Sequence, residues 1–144
     1  MEELQEEVLH IRRVSRKTVG GNRASFSVLV GVGDRKGTFG LGLAKAPEVP
    51  IAIRKATAQA RKHVIKANLK GTTIPYDVDF KFKAVRILLK PAPPGTGLKA
   101  GSVVRQILSL AGVKDISAKL YGSSNRLNLS KALFMVFQQL KKQV

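Results

Sequence analysis

The sequence predicts an α+β fold of two small domains, and three patterns lead to that prediction. Apolar and polar residues alternate over residues 24–33, with the period of a half-buried strand. A stripe of apolar residues at helical spacing follows in the same half of the chain. Gly71 and Pro75 then interrupt the chain before a second series of such patterns begins. We therefore divide the chain into a solvated lead-in (1–7), a first domain (8–70) and a second domain (71–144).

The first domain is predicted to contain three strands. A strand beginning at Val8 forms a hairpin with residues 24–33, and the turn falls near Gly20 and Gly21. The segment GDRKG, residues 33–37, is a turn bracketed by glycines. A third strand follows, and one of its faces carries Gly40, Gly42 and Ala44, which leaves room for another backbone to approach closely.

One helix completes the predicted first domain. Pro50 suits its first turn, where the missing N–H has no intrahelical partner. Its predicted apolar stripe consists of Ile53, Ala56, Ala60, Val64 and Ala67.

The predicted order of elements in the second domain is one or more strands, a helix, a strand and a last helix. Val78, Phe80 and Phe82 alternate with polar residues, and an apolar run follows over residues 85–89. Ser102 is a candidate N-cap for a helix over 103–111, with Gly112 beyond its end. A strand over 115–122 precedes a last helix over 127–142. The predicted inner face of that helix is Leu129, Leu133, Val136, Phe137 and Leu140.

The charge of the chain points to an anionic partner. Its 26 Lys and Arg outnumber 9 Asp and Glu, and four of the nine acids lie in the lead-in. Such a surplus repels itself unless a polyanion neutralises it, so nucleic acid is the first expectation and an anionic membrane surface the second. The longest apolar run, residues 132–137, is far shorter than the ~20 residues of a membrane span. We expect a soluble cytoplasmic protein.

The predicted hairpin is the first candidate site. Glycines at its tip would let a phosphate approach the backbone amides, and its cations would neutralise phosphates. The alternative is a solvated edge, because positive residues at a sheet edge also prevent aggregation. No acid lies between Glu7 and Asp34, which favours nucleic acid. The hairpin candidates are Arg12, Arg13, Arg16, Lys17, Gly20, Gly21, Asn22 and Arg23.

The loop PPGTGLKAGS allows an enzyme hypothesis. Residues 95–100 fit a relaxed G-x-G-x-x-G/A fingerprint, and Asp115 lies twenty residues after Gly95, where a ribose ligand would stand. Three prolines separate these glycines from the preceding strand, whereas the fingerprint needs a tight strand-to-helix turn. Contact with nucleic-acid phosphate, a nucleotide cofactor and a purely structural loop all remain open.

Catalytic groups are sparse. His10 and His63 are the only histidines, no cysteine is present, and no cluster of His, Asp and Glu has metal-ligand spacing. Phe80 and Phe82 could stack nucleobases, although core packing is the simpler interpretation. The sequence GSSN, residues 122–125, suits a helix N-cap, which is compatible with contact to an RNA backbone. We expect no cofactor, no metal and no enzymatic activity.

Two long segments together resemble one protein family. VSRKTVGGNRASFSVLVGVGDRKGTFGLGLAKAPEVPIAIRKA followed by LLKPAPPGTGLKAGSVVRQILSLAGVKDISAKLYGSSN is similar to the bacterial small-subunit ribosomal protein S-five family, over about residues 8–142. The resemblance implies a double-stranded-RNA-binding-like domain (three-stranded antiparallel sheet plus helix) and a C-terminal β-α-β-α domain. It also implies binding to 16S rRNA beside proteins S-four and S-eight, near the mRNA entry path, with an influence on decoding accuracy.

The resemblance has departures. Val19 and Asn22 stand beside the paired glycines, where the family usually has Lys and Arg. The family's hairpin tip approaches the spectinomycin site, so these two positions bear on the drug response.

We therefore predict a non-catalytic, rRNA-binding constituent of the small subunit, built on two small cores. The alternative functions are a nucleotide-dependent enzyme and a free-standing RNA chaperone. Beyond the hairpin, the predicted RNA-binding residues are Lys45, Arg54, Lys55, Arg61, Lys62, Lys90, Lys99, Ser123, Ser124, Asn125 and Arg126.

Overall fold

The first half of the chain forms a four-stranded antiparallel sheet. The computed structural model describes residues 4–122 and 125–140, except for the side chains of 16–18 and 22–23. The strands are β1 (Gln5–Thr18), β2 (Gly21–Gly33), β3 (Thr38–Ala46) and β4 (Val64–Lys66), in that spatial order. The predicted hairpin is confirmed, since Thr18 pairs with Gly21 around a two-residue turn. The predicted three strands were one too few, and β1 begins at Gln5 rather than Val8.

Helix α1 (Val49–Lys62) packs on one face of this sheet through a stripe of alanines. Ala52, Ala56 and Ala60 are buried against Val28, Val30 and Val32. The prediction that β3 admits another backbone is confirmed, because a Cβ at Gly40 or Gly42 would collide with α1 carbonyl oxygens. The predicted apolar stripe of this helix was wrong at its last two residues. The chain leaves the helix at His63 and becomes β4, so Val64 and Ala67 belong to no helix.

The second half forms a mixed sheet with two helices. Its strands are β5 (Val78–Phe82), β6 (Val85–Pro91), β7 (Leu98–Lys99) and β8 (Ile116–Gly122), in the spatial order β5-β6-β8-β7. Only the short β7 runs parallel to its neighbour. Helices α2 (Ser102–Ala111) and α3 (Arg126–Gln139) pack with the buried side chains of this sheet. The α3 inner face was predicted correctly, whereas residues 141 and 142 of that prediction lie outside the described residues.

The ends of α2 follow ordinary capping chemistry, with one correction. Gly112 adopts the left-handed conformation, and its N–H bonds the Leu108 and Ser109 carbonyls, as predicted. The N-cap is Gly101 rather than Ser102, and no side chain caps this end.

The two halves share one large hydrophobic core. Leu9, Leu29 and Phe39 of the first sheet lie in the same buried cluster as the α2 and α3 side chains. The Phe39 ring meets the Phe137 ring edge-on, with centroids 5.5 Å apart. The first sheet is therefore covered on both faces, by α1 on one and by the second half on the other. A second, smaller cluster lies between α1 and β2, so the chain has two cores, and the larger one is built by both halves.

The turn between β2 and β3 locks the halves together. Arg35 N–H donates to the Leu110 carbonyl at 3.0 Å, and Gly37 N–H donates to the Ala111 carbonyl at 2.7 Å. Carbonyls at a helix C-terminus lack intrahelical partners, so this turn caps α2 from the other half of the chain. The Arg35 guanidinium adds hydrogen bonds to Ser109 Oγ (2.6 Å) and Gln5 Oε1 (2.7 Å). The two halves thus form one unit at this junction.

Candidate nucleic-acid interface

One face of the first sheet carries predicted RNA-binding residues from both halves. Arg12, Ser27 and Lys45 are register partners across β1, β2 and β3, so they form one cross-strand row on that face. The next row, His10, Leu29 and Leu43, runs beneath the start of α3.

We call the depression between these rows and α3 the seam cleft. Its volume is about 370 Å³, and its lining consists of His10, Arg12, Ser27, Leu29, Leu43, Asn125, Arg126 and Leu127. The fold thus brings together Arg12, Asn125 and Arg126, although more than a hundred residues separate the first from the other two in sequence.

Arg126 bonds the second half to this face, and Asn125 caps the helix that begins at Arg126. Asn125 Oδ1 accepts hydrogen bonds from the Leu127 and Asn128 amides at 3.0 and 3.2 Å, so the predicted N-cap is confirmed. Arg126 donates from Nη1 to the Leu9 carbonyl at 3.3 Å. Ser123 and Ser124, predicted with them, lie outside the described residues.

The hairpin projects beyond the covered part of the sheet. Gly21 has a φ of 133°, a conformation that side chains rarely adopt, and a Cβ added at Gly20 or Gly21 would meet no described atom within 4 Å. Arg13 is exposed on the face opposite to Arg12. The backbones of Arg16 and Arg23, and of Lys17 and Asn22, are register partners, and their side chains are outside the described set. The tip glycines therefore leave space for an approaching phosphate.

The cations of α1 lie on a different face. Val28 and Val30 contact α1, and they alternate along β2 with the residues of the seam cleft, so α1 and the cleft are on opposite sides of the sheet. The α1 candidates Arg54, Lys55, Arg61 and Lys62 are all exposed.

The acidic lead-in contacts this basic surface. Arg61 forms an ion pair with Glu6, and Glu7 accepts a hydrogen bond from Gln106 at 3.3 Å. Residues 6 and 7 are therefore part of the folded unit, which corrects the expectation of a wholly solvated lead-in.

The outer face of the second sheet carries the remaining predicted cations. Lys90 and Lys99 are both register partners of Ser117, so they flank it in one cross-strand row. Sequence reasoning missed neighbours on the same face, namely Lys81, Arg86, Lys119 and the half-exposed Tyr121. The period-two spacing of these residues within β5, β6 and β8 was the signal that could have found them.

One carboxylate lies on this outer face and pairs with a neighbouring cation. The Arg86 guanidinium donates to both Asp79 oxygens, at 3.0 and 2.8 Å. This hydrogen bonding lowers the pKa of Asp79, and the carboxylate in turn raises the pKa of Arg86. The pair neutralises one of the cations on this face and leaves the lysines exposed.

Asp115 anchors the glycine-rich loop from inside. Its side chain is buried, and Oδ1 accepts hydrogen bonds from the Gly95 and Gly97 amides at 3.1 and 2.9 Å. A hydrogen bond from the Thr72 side chain, together with these amides, lowers the pKa of Asp115. The amides that a nucleotide phosphate would need are thus bound to a carboxylate of the chain itself. The interpretation of Asp115 as a ribose ligand was wrong, since it is a structural anchor.

Phe80 and Phe82 pack against the shared core, as the simpler interpretation predicted. Within residues 4–122 and 125–140, no group of three metal-ligating side chains converges. No helix in those ranges is long and apolar enough to cross a membrane.

The two-sheet α+β fold and its exposed cations on several faces define a small basic protein of the nucleic-acid-binding class. Two family models match the chain: "Ribosomal protein S5, N-terminal domain" over residues 4–68 and "Ribosomal protein S5, C-terminal domain" over residues 80–143. The chain belongs to the ribosomal protein S5 family, which confirms the resemblance found in the sequence.

Curated relatives agree with this assignment. The small ribosomal subunit protein uS5 of Protochlamydia amoebophila is 52% identical over 138 residues, which cover 96% of this chain and 83% of the relative. Its counterpart in Thermus thermophilus is 47% identical over 139 residues, covering 96% and 86%. The Chloroflexus aurantiacus protein is 46% identical over 138 residues, covering 96% and 78%. The similarity therefore extends over most of each protein.

Proposed function

We propose that this chain is a structural constituent of the small ribosomal subunit that binds 16S rRNA. The single observation that carries the proposal is the match of both S5 domains, in order, over nearly the whole chain. The relatives bear the name of a small-subunit protein, and the net charge of +17 is suited to an RNA environment. The same relatives are structural proteins, which supports a non-catalytic role.

The proposed mechanism is the placement of RNA segments by fixed cations. Lysine and arginine side chains neutralise phosphates and release counterions, while the tip glycines admit the backbone of the RNA. Exposed cations on the hairpin, the seam cleft, α1 and the second sheet face different directions. An RNA that contacts all of them must surround the protein. The shared core and the 33–37 turn would then hold the contacted segments at fixed separations.

Finer aspects of the proposal follow from the family. The neighbours are proteins S-four and S-eight, mRNA passes nearby, and the protein supports subunit assembly and decoding accuracy in the cytoplasm. The hairpin tip, residues 17–23, lies near the spectinomycin site. Val19 is fully exposed at the turn, so it offers an apolar side chain where the family usually offers a cation. We propose that Val19 and Asn22 alter the tip contacts and the drug response.

Sedimentation of a tagged chain in cell lysate tests the proposed function. The chain should travel with the small subunit and remain there after a moderate salt wash. A free-standing RNA chaperone would be washed off, and a chain that stays at the top of the gradient would refute the proposal. Equilibrium dialysis with ATP and NAD addresses the enzyme alternative, which predicts tight, salt-insensitive nucleotide binding.

A further inference from the structure

The seam cleft is a concave and partly apolar part of the basic surface. Its volume of about 370 Å³ lies within the ~300–1,000 Å³ range of small-molecule sites. Leu29, Leu43 and Leu127 contribute apolar surface, while Arg12 and Arg126 contribute cations. A site that only neutralised phosphates would not need this apolar surface. The combination fits a ligand with an apolar body and an attached anion.

The charges of the lining favour an anion strongly. No carboxylate is present among the described residues that line the cleft, and exposed Lys45 lies in the same cross-strand row as Arg12. Arg126 uses one N–H in its bond to the Leu9 carbonyl, and a guanidinium has five such donors. Arg126 therefore keeps donors for a ligand while the protein itself fixes its position.

We propose that the seam cleft holds one unpaired nucleotide of the bound RNA, with its base inside and its phosphate at the two arginines. This proposal rests on the proposed function and adds a site to it. A duplex cannot enter a cleft of this size, whereas the unstacked bases of loops and bulges are commonly splayed into pockets and stacked on guanidinium planes. The base would lie against the leucines, and the Ser27 hydroxyl and the His10 imidazole would face its polar edge.

A cleft-filling substitution separates base binding from phosphate binding. Ser27→Trp places a large side chain in the lining without changing any charge. Ser25→Trp is the matched control, because Ser25 is two residues away on the same face of β2, is equally half-buried and lies outside the cleft lining. Both chains are assembled into small subunits, and the reactivity of unpaired 16S rRNA nucleotides is probed chemically. Only Ser27→Trp should expose a nucleotide that the unaltered chain protects.

Affinity for a 16S rRNA transcript gives a second readout. Loss of one base contact should weaken binding by about five- to 150-fold for Ser27→Trp. The salt slope should not change, because the phosphate contacts remain. Identical protection and affinity for Ser27→Trp and Ser25→Trp would overturn the proposal. If the unaltered chain binds no RNA at all, the proposed function fails as well, and the two failures are thus distinguishable.

Arg126→Gln keeps the test decisive if Ser27→Trp does not fold. Its matched control is Arg105→Gln, since Arg105 is also exposed and also donates to a backbone carbonyl at 3.3 Å, but lies outside the cleft. Arg126→Gln should expose the same nucleotide and reduce the salt slope by about one contact. Protection that survives Arg126→Gln would contradict the assignment of the phosphate to this side chain.

Discussion

The shared core predicts that the two halves of the chain unfold together. Val28 tests this, because it is fully buried against α1, on the side of the sheet that faces away from the second half. Val28→Ala removes two methyl groups, which corresponds to about 2 kcal/mol when each group contributes roughly 0.8 kcal/mol and the cavity adds a further cost. For a chain of this length, that loss lowers the melting temperature by about 4–8 °C.

The tyrosines make the assay selective for the second half. Both of them, Tyr76 and Tyr121, lie there, and the chain has no tryptophan. Tyrosine fluorescence during thermal unfolding should therefore show the full shift, although the substitution lies in the first half. Ile11→Ala is the control, since Ile11 is on the same sheet but 47% exposed, and it should shift the midpoint by far less. An unchanged tyrosine midpoint in Val28→Ala, together with an additional transition at lower temperature in far-UV circular dichroism, would refute the single unit.

Three further predictions concern the loop and the hairpin. Asp115→Asn should destabilise the chain at neutral pH. The pKa of Asp115 is lowered in the folded chain, so the stability that its carboxylate contributes is present above the ordinary value of 3.8 and is lost as pH falls toward the folded pKa. The urea midpoints of the two proteins should therefore converge as pH falls. A gap independent of pH would contradict this account. Arg16→Glu with Arg23→Glu should weaken 16S rRNA binding at least tenfold and flatten its salt slope, and unaltered affinity at low salt would exclude the hairpin as a contact. Gly21→Val should impair incorporation into small subunits more than Asn22→Ala, because a residue with a side chain is strained at a φ of 133°. Equal incorporation of the two variants would contradict this expectation.

Local patterns predicted most elements, because each rests on short-range chemistry. Hydrophobic periodicity predicted the alternation in β2 and the inner face of α3, and the structure agrees. The conformational freedom of glycine predicted the left-handed Gly112. The bare face of β3 could also be predicted, because glycine at alternate positions leaves space for another backbone to pack closely on the strand. These features require no knowledge of the distant chain.

Several of the missed features depend on long-range pairing. Val64 continues a helical stripe in sequence, but pairing with Gly40 of β3 draws it into a strand. The capping of α2 by Arg35 and Gly37 joins segments more than seventy residues apart, and Asp115 meets the Gly95 amide only in the folded chain. The seam cleft arises in the same way, so composition could predict its cations individually but not the cavity between them.

The junction between the halves fixes these dispersed cations relative to one another. If the halves were joined by a flexible linker, the RNA segments bound to each half could change their separation freely. The protein would then neutralise phosphates without fixing the distance between those segments. Here the turn at Arg35 is bonded to the end of α2, and Arg126 is bonded to the backbone of β1. The hairpin, the seam cleft and the outer face of the second sheet therefore keep fixed separations. Under the proposed function, RNA bound to these cations would relieve the self-repulsion of the chain, and the chain would fix the positions of the bound RNA segments.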